Sequence, residues 1–172
     1  NLLAAGKLMY QKGFDLLLQA FAKLDDPRFH LTILGRGKEE ANLKGLAQRL
    51  GIKKRVTFAG FVDNPYPFMA RADLFVLSSR FEGFPNVILE SCACGTPVVA
   101  FACPGGLDEI IWEGVNGWLV ENGNVDAFAE AVKAAVDCPL NKESVIRSVS
   151  ERFGVVRITG KYEALFETIG KG

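Results

Sequence analysis

Apolar residues along this chain gather into short runs separated by longer segments of mixed polarity. The runs are residues 2–8 (LLAAGKL), 29–35 (FHLTILG), 55–60 (RVTFAG), 73–79 (DLFVLSS), 96–101 (TPVVAF) and 117–121 (GWLVE). They are nearly continuous in apolar character instead of alternating, which is the pattern of a strand covered on both faces. Between them, apolar positions recur at spacings of three and four. One set is Leu16, Leu17, Ala20, Phe21 and Leu24, a second Leu43, Leu46, Ala47 and Leu50, and a third Phe128, Ala131, Val132 and Ala135. Such spacing lines one face of a helix. After Pro139 the strand signals stop, and residues 141–152 and 155–169 read as two terminal helices parted by Gly154.

Strands alternating with helices predict an α/β chain: a Rossmann-like, three-layer parallel sheet of about six strands with helices on both faces. In such sheets ligands bind beyond the carboxyl ends of the strands, so chemistry is expected in the strand-to-helix loops. Turn residues mark those loops at Gly35-Arg36-Gly37, Asn64-Pro65, Gly83 to Pro85, Pro104-Gly105-Gly106, Asn116-Gly117 and Asn122-Gly123. No repeat, low-complexity tract or flexible linker divides the sequence. Residues 1–172 are therefore expected to form a single domain, with a core over about 2–137 and terminal helices over about 141–169. The last helix carries an apolar stripe of Val155, Ile158, Tyr162, Leu165, Phe166 and Ile169. Packing of that stripe onto this domain, and in part onto another, is the expectation. The run LLAAG begins directly after Asn1, which reads as a domain cut from a longer chain.

Composition narrows the classes of function. A 172-residue chain that is 49% hydrophobic and 23% charged is a globular domain with a substantial core. Lys plus Arg number 20 and Asp plus Glu number 20, so the net charge is zero. That argues against general binding to nucleic acid or to a membrane surface and leaves room for a local basic site that takes a small anion. No signal peptide and no apolar stretch of membrane-spanning length, about 20 residues, is found. His30 is the lone histidine, which excludes a histidine-rich metal site. Cys92, Cys94, Cys103 and Cys138 lack the paired spacing of a structural zinc site. Cys92 and Cys94, inside an apolar stretch, read as small buried thiols, the free thiols suggest a reducing compartment, and no metal ligand is assigned.

The richest loop follows the fourth apolar run and reads Glu82-Gly83-Phe84-Pro85-Asn86-Val87-Ile88-Leu89-Glu90. Gly83 lets the backbone turn or approach a ligand closely. Pro85 suits a helix start because its missing N–H costs nothing there. A helix is expected from about Asn86 to Cys94, and its first turn presents free N–H groups and the positive end of the helix dipole, a natural diphosphate site. Glu90, four residues after Asn86, lies on the same face one turn in, while Glu82 stays in the loop. A carboxylate can accept from two neighbouring hydroxyls, which fits a ribose or hexose diol. Two carboxylates flanking one cavity also match a glycosidase, and either glutamate alone reads equally as solvated charge. Gly35-Arg36-Gly37 follows a strand, but the third glycine of a dinucleotide fingerprint is missing. Lys38 is followed by Glu39 rather than Ser or Thr, so a P-loop fails as well.

Taken in order, these segments resemble a known family. SSRFEGFPNVILESCACGTPVVA is similar to the signature of the retaining GT-B glycosyltransferases often called family four. Its mark is two glutamates separated by seven residues, then a small-residue helix, a Gly and a Pro-Val-Val strand. Here these are Glu82, Glu90, Gly95 and Pro97-Val98-Val99. GKLMYQKGFDLLLQAF resembles the family's opening strand-loop-helix, LTILGRGKEEANL its G-x-G loop, and VTFAGFVDN the strand before its base-binding loop. PGGLDEIIWEGVNGWLVENGNVDAFAEAV resembles its G-G-x-x-E-I segment. The likeness covers about residues 2–136.

The resemblance implies one half of a GT-B fold, the C-terminal donor-binding half, with the N-terminal acceptor domain absent. It implies retaining transfer of a hexose from a nucleotide diphosphate sugar, with UDP-sugar expected as the family's commonest donor. The acceptor would be a glycan or lipid-linked hydroxyl. Carried over by position, Glu90 would hold the ribose hydroxyls. Glu82, the catalytic candidate, would contact the transferred sugar or support the reacting centre. Gly83 and Phe84 would line the sugar pocket, the N–H groups of Asn86, Val87 and Ile88 would meet the diphosphate, and Lys7 and Lys12 would neutralise it. The family usually has Arg where Lys7 stands, and Lys keeps the charge without the planar two-pronged geometry. Gly35 and Arg36 would wall the phosphate side, and Gly60, Phe61 and Val62 would read the base through backbone groups. No metal or cofactor is implied, since these positive groups replace it, and no Asp-x-Asp motif occurs. The implied location is cytoplasmic, with any contact to the inner membrane made through the missing half. Three alternatives stand beside this reading: a starch or glycogen synthase relative, a sugar-nucleotide epimerase, and a non-catalytic nucleotide-sugar-binding scaffold. The first usually has Glu-Pro-x-Gly at Glu82–Pro85, the second needs another acid/base set, and the third gives no reason to keep Lys7, Lys12, Glu82 and Glu90 together.

Overall fold

The computed structural model describes residues 1–169 and contains one six-stranded sheet, all parallel. The strands are β1 (Leu2–Ala5), β2 (Leu31–Leu34), β3 (Val56–Gly60), β4 (Leu74–Leu77), β5 (Val98–Phe101) and β6 (Gly117–Val120). The helices are α1 (Phe14–Lys23), α2 (Glu40–Arg49), α3 (Tyr66–Arg71), α4 (Asn86–Ala93), α5 (Leu107–Ile110), α6 (Val125–Asp137), α7 (Lys142–Phe153) and α8 (Val155–Ile169).

Strand side chains point alternately to opposite faces, and both faces of this sheet are covered. Leu2, Ala4, Leu31, Ile33, Leu74, Val76, Val99 and Phe101 join α1, α2 and α6 in one core. Leu3, Leu34, Phe75, Leu77, Val98 and Ala100 join α3, α4, α5 and α7 in a second. Six strands between two helical layers are the expected α/β architecture.

The sheet order is β3-β2-β1-β4-β5-β6. From β1 the chain winds outward through β2 to β3. It then returns through α3 to pair β4 with the other side of β1, and winds outward again the opposite way. The strand-to-helix loops of β1 and β4 therefore diverge at the centre of the sheet, and this switch point is where such folds bind ligands.

The helix starts have local causes. The Asn124 side chain accepts from the Ala127 N–H at 3.0 Å to open α6, and Asn141 accepts from the Ser144 N–H at 3.0 Å to open α7. Buried Asn116 fastens the second layer. Its Nδ2 donates to Ile110 O at the end of α5 (3.1 Å) and to Ser148 Oγ of α7 (2.9 Å), while its Oδ1 accepts from the Trp112 N–H (2.8 Å).

Three expectations change. The apolar runs overran the strands at their carboxyl ends: Gly6 to Leu8 and Ser78-Ser79 leave the sheet as loop. The helices α3 and α5 were not anticipated, being too short to show a periodic face. The stripe on α8 packs little onto this domain. No α8 residue is fully buried, Ile158 is half-buried, and Val155, Tyr162, Leu165, Phe166 and Ile169 are exposed. Periodicity identified the apolar face correctly but could not supply a surface to cover it.

Because α8 contains no fully buried residue, removing residues 155–172 is expected to shift the thermal midpoint by no more than about 2 °C, as surface changes do. Circular dichroism melts of the two chains check this, and a drop of about 5 °C or more would show that α8 stabilises the sheet.

Candidate functional site

A cleft of about 370 Å³ opens at the switch point. Ala5, Gly6, Lys7 and Lys12 form its β1 side. Glu82, Phe84 and Pro85 come from the loop after β4, Asn86, Val87 and Glu90 from α4, and Pro65 and Met69 from the α3 end. A wider hollow of about 510 Å³ lies between the end of α1 and α6. Lys23 and Asp126 pair there at 2.6 Å.

Two loops that diverge in sequence are held together to make the cleft. Gly13 has φ +60°, and a Cβ there would stand 2.0 Å from Ser78 O, so only glycine permits the approach. Ser78 Oγ donates to Lys12 O (3.0 Å), the Arg80 N–H to Gln11 O (2.8 Å), and Gln11 Nε2 to Phe81 O (3.0 Å). The Arg80 guanidinium lies over the Tyr10 ring at 4.0 Å, donates to Tyr10 O (2.7 Å) and grips Asp15 through both nitrogens (2.9 and 2.7 Å). Burial alone would raise the Asp15 carboxyl. The hydrogen bonds and charge of Arg80, with backbone N–H groups of Asp15 and Leu16, outweigh it and hold the group below its ordinary 3.8.

Glu82 is the most enclosed acid of the cleft, its side chain 7% exposed. Its Oε1 accepts from Lys12 Nζ at 2.7 Å and from Ser79 Oγ at 2.5 Å. The Lys12 stem runs over Gly6, where a Cβ would meet it at 3.4 Å. The loop after β5 braces Glu82 from behind. The Glu82 N–H donates to Pro104 O (2.8 Å), and a Cβ on Gly105 would lie 2.1 Å from Glu82 O. Among the described residues Oε2 of Glu82 has no hydrogen-bond partner, so one acceptor oxygen is fixed and the other keeps its acceptor capacity.

Pro85 occupies the N-cap of α4, with no side-chain cap. The three amides singled out in the sequence are not equivalent. The Asn86 N–H already donates to Phe84 O (2.9 Å) and the Ile88 N–H to Pro85 O (3.0 Å). The Val87 N–H has no partner among the described residues. The Ile88 side chain is buried in the second core, away from the cleft.

The structure thus gathers Lys7, Lys12, Glu82, Phe84, Asn86, Val87 and Glu90 around one cleft. Gly83 sits between two of them, with open space where a Cβ would be. Gly35, Arg36, Phe61 and Val62 are not in its wall. They form the neighbouring rim, stitched to the first loop by the Leu8 N–H to Arg36 O (3.0 Å) and to the end of β3 by the Gly35 N–H to Gly60 O (2.7 Å). Phe61 is 63% exposed there, and the Arg36 side chain passes beside Gly60. Sequence reasoning missed Ser79, which lay in a segment read as strand, and the α3 wall residues Pro65 and Met69. The cysteines lie apart from this chemistry. Cys92 is buried, and burial pushes its thiol up to about 12; burial, with the Glu82 charge, also raises Cys103. Cys138 is exposed.

A doubly wound parallel sheet with two lysines, two glutamates and a free helix-start amide around a cleft at its switch point is the arrangement in which α/β domains bind ligands. The chain belongs to the glycosyl transferases group 1 family, whose model matches residues 1–152. It is 42% identical over 134 residues to the lipopolysaccharide core biosynthesis glycosyltransferase LpsE of Rhizobium meliloti (strain 1021), covering 78% of this chain and 38% of that protein. The Anabaena protein Alr3699/HepE, solved in complex with UDP, superposes with a TM-score of 0.87 at 29% identity, covering 97% of this chain and 48% of the other. The same protein has been solved with UDP and glucose and with UDP-glucose. The chain therefore spans half or less of the length of these relatives. The expected family and α/β class both hold, and the structural neighbours are GT-B glycosyltransferases.

The Arg80–Asp15 pair sets a pH dependence. A carboxyl held below 3.8 in the native state adds stability above the unfolded value, and that stability is lost as pH falls through the native one. Asp15→Asn is therefore expected to lower the urea midpoint near neutral pH. The gap to wild type should narrow as pH falls below the ordinary carboxyl value of 3.8, as urea titrations from neutral pH downward would show.

Proposed function

We propose that this chain is the donor-binding half of a retaining glycosyltransferase that moves a hexose from a UDP-sugar to an acceptor hydroxyl. The observation that carries the reading is the meeting of Lys7, Lys12, the Val87 amide, Glu82 and Glu90 in one cleft at the switch point. Family membership and the UDP and UDP-glucose complexes of the Anabaena relative support it.

Each group has a physical task in this reading. The diphosphate lies against the Val87 N–H at the positive end of α4, with Lys7 and Lys12 supplying charge. Glu90, one turn into the helix, accepts from the ribose diol. Glu82 presents Oε2 to a hydroxyl of the transferred hexose while Lys12 and Ser79 hold Oε1, and Gly83 and Phe84 bound the sugar. Asn86 and Ile88 shape the helix turn whose middle amide is free. On the adjoining rim, Gly35 and Arg36 wall the phosphate side, and Phe61 and Val62 take the base side. As the glycosidic bond breaks, negative charge collects on the leaving diphosphate, and fixed positive groups stabilise that charge most in the transition state. These groups do the work a metal would otherwise do.

The acceptor, a glycan or lipid-linked hydroxyl, binds in an N-terminal domain of the full-length protein in this reading, and the isolated chain turns over no sugar. The work is assigned to the cytoplasm, with membrane contact, where it occurs, made by that other domain. Among the described residues no helix is long and apolar enough to cross a membrane.

Titrating the chain with UDP, GDP and ADP by NMR and calorimetry is the direct test. UDP is expected to bind and to move amide signals over residues 82–90; silence there with all three would sink the donor reading. Glu90→Ala should weaken UDP binding about tenfold or more, the cost of a charge-assisted hydrogen bond. Glu82→Ala in the full-length protein should reduce transfer much more than UDP affinity.

A further inference from the structure

We propose that Phe153, the last residue of α7, is a positioning residue for the sugar side of the cleft and acts through Phe84. The inference rests on the donor reading above and adds to it a residue distant in sequence from the signature loop.

Phe84 stands half-exposed at the edge of the cleft, and its ring meets that of Phe153 at 6.0 Å between centroids, tilted by 59°. Gly106 lies close below, where a Cβ would come within 3.8 Å of the Phe84 ring. Phe153 is itself held. The neighbouring Arg152 guanidinium lies 4.8 Å from its ring and 3.9 Å from the Trp112 ring. Arg152 also donates to Ile110 O (3.1 Å) and to Glu109 O, the carbonyls that end α5. Buried Asn116 ties the same Ile110 carbonyl to Ser148 of α7. The end of α7, α5 and the loop from Pro104 to Gly106 are therefore one braced unit.

That unit touches the signature loop at two places. Pro104 O receives the Glu82 N–H, and Phe153 packs on Phe84. Gly83, between them, has no neighbour within 4 Å of its Cβ position. The Glu82-Gly83-Phe84 segment is thus held at both ends, by the Glu82 N–H and by the Phe84 ring, and open in the middle. At the diphosphate end, the Lys12 backbone is held in addition by the β1 and β4 loops, with Ser78 Oγ on Lys12 O and Gln11 Nε2 on Phe81 O. Loss of the Phe153 ring should therefore loosen the sugar end more than the diphosphate end. Immediately beyond Phe153 the chain passes Gly154 into α8, so the direction in which α8 leaves bears on this clamp.

The test compares Kd values of this chain for a nucleotide sugar and for the matching nucleoside diphosphate, by calorimetry. The sugar is whichever of UDP-glucose, UDP-galactose, UDP-N-acetylglucosamine, GDP-mannose and ADP-glucose binds wild type most tightly. Phe153→Ala is expected to raise the nucleotide-sugar Kd about two- to tenfold, the worth of an aromatic pair, and to change the diphosphate Kd less than about twofold. Phe153→Leu keeps an apolar side chain on α7 without a ring and should show the same split. Phe153→Tyr keeps the ring and should restore wild-type values. Circular dichroism melts confirm that each variant compared is folded. Equal losses for both ligands, or no loss in folded Phe153→Ala and Phe153→Leu chains, would overturn the proposal while leaving the donor reading intact. Failure of wild type to bind any of the five sugars or their diphosphates would overturn both.

Discussion

Everything at the carboxyl edge of the sheet depends on the contact between two loops that the topology would otherwise send apart. The chain turns one way after β1 and the other way after β4, and nothing in the hydrogen-bonded ladder joins the two turns. Gly13 against the Ser78 carbonyl closes that gap by omitting a side chain, and the Arg80–Asp15 pair locks it with charge. An exposed ion pair adds little to stability. This one is half-buried, two-pronged, and stacked on Tyr10, so its value lies in fixing geometry. With the loops joined, Lys12 reaches Glu82 across the cleft. The charge pair at the floor is a consequence of the backbone fit above it.

The same economy recurs around the cleft. Gly35 would place a Cβ 1.9 Å from Gly6 O, Gly37 one 2.1 Å from Leu8 O, and Gly105 one 2.1 Å from Glu82 O. The site is a stack of loops in backbone contact, with few side chains inserted between layers. In the donor reading the chemistry falls to a handful of groups, Lys7, Lys12, Glu82, Glu90 and one free amide, carried on loops that these main-chain contacts hold together.

Much of this was legible in the sequence because it rests on local rules. Continuous apolar runs gave the six strands, and the strand-loop-helix pattern at Glu82–Glu90 put both acids near one turn. What escaped was non-local. Ser79 was hidden inside an apolar run because burial continues past the point where strand pairing ends. The Asn86 and Ile88 amides could not be told from that of Val87 until the turn was seen to satisfy two of the three. Phe153 meets Phe84 through tertiary packing that no periodicity reports. The α8 stripe was read correctly as an apolar face, and this domain leaves most of it uncovered, since a pattern names a surface without naming its partner.

The four cysteines, which take no part in the chemistry, carry a consequence of their own. Cys92 is sealed in the second core with its thiol pushed up to about 12, Cys103 is buried behind Glu82, and Cys138 lies open on the surface. Thiolate is the form that alkylating reagents attack, and burial suppresses it. The folded chain therefore offers Cys138 to such a reagent at once and yields Cys92 only when the sheet and α4 part. The rate at which that thiol becomes labelled is a built-in clock for the opening of the layer that bears the cleft.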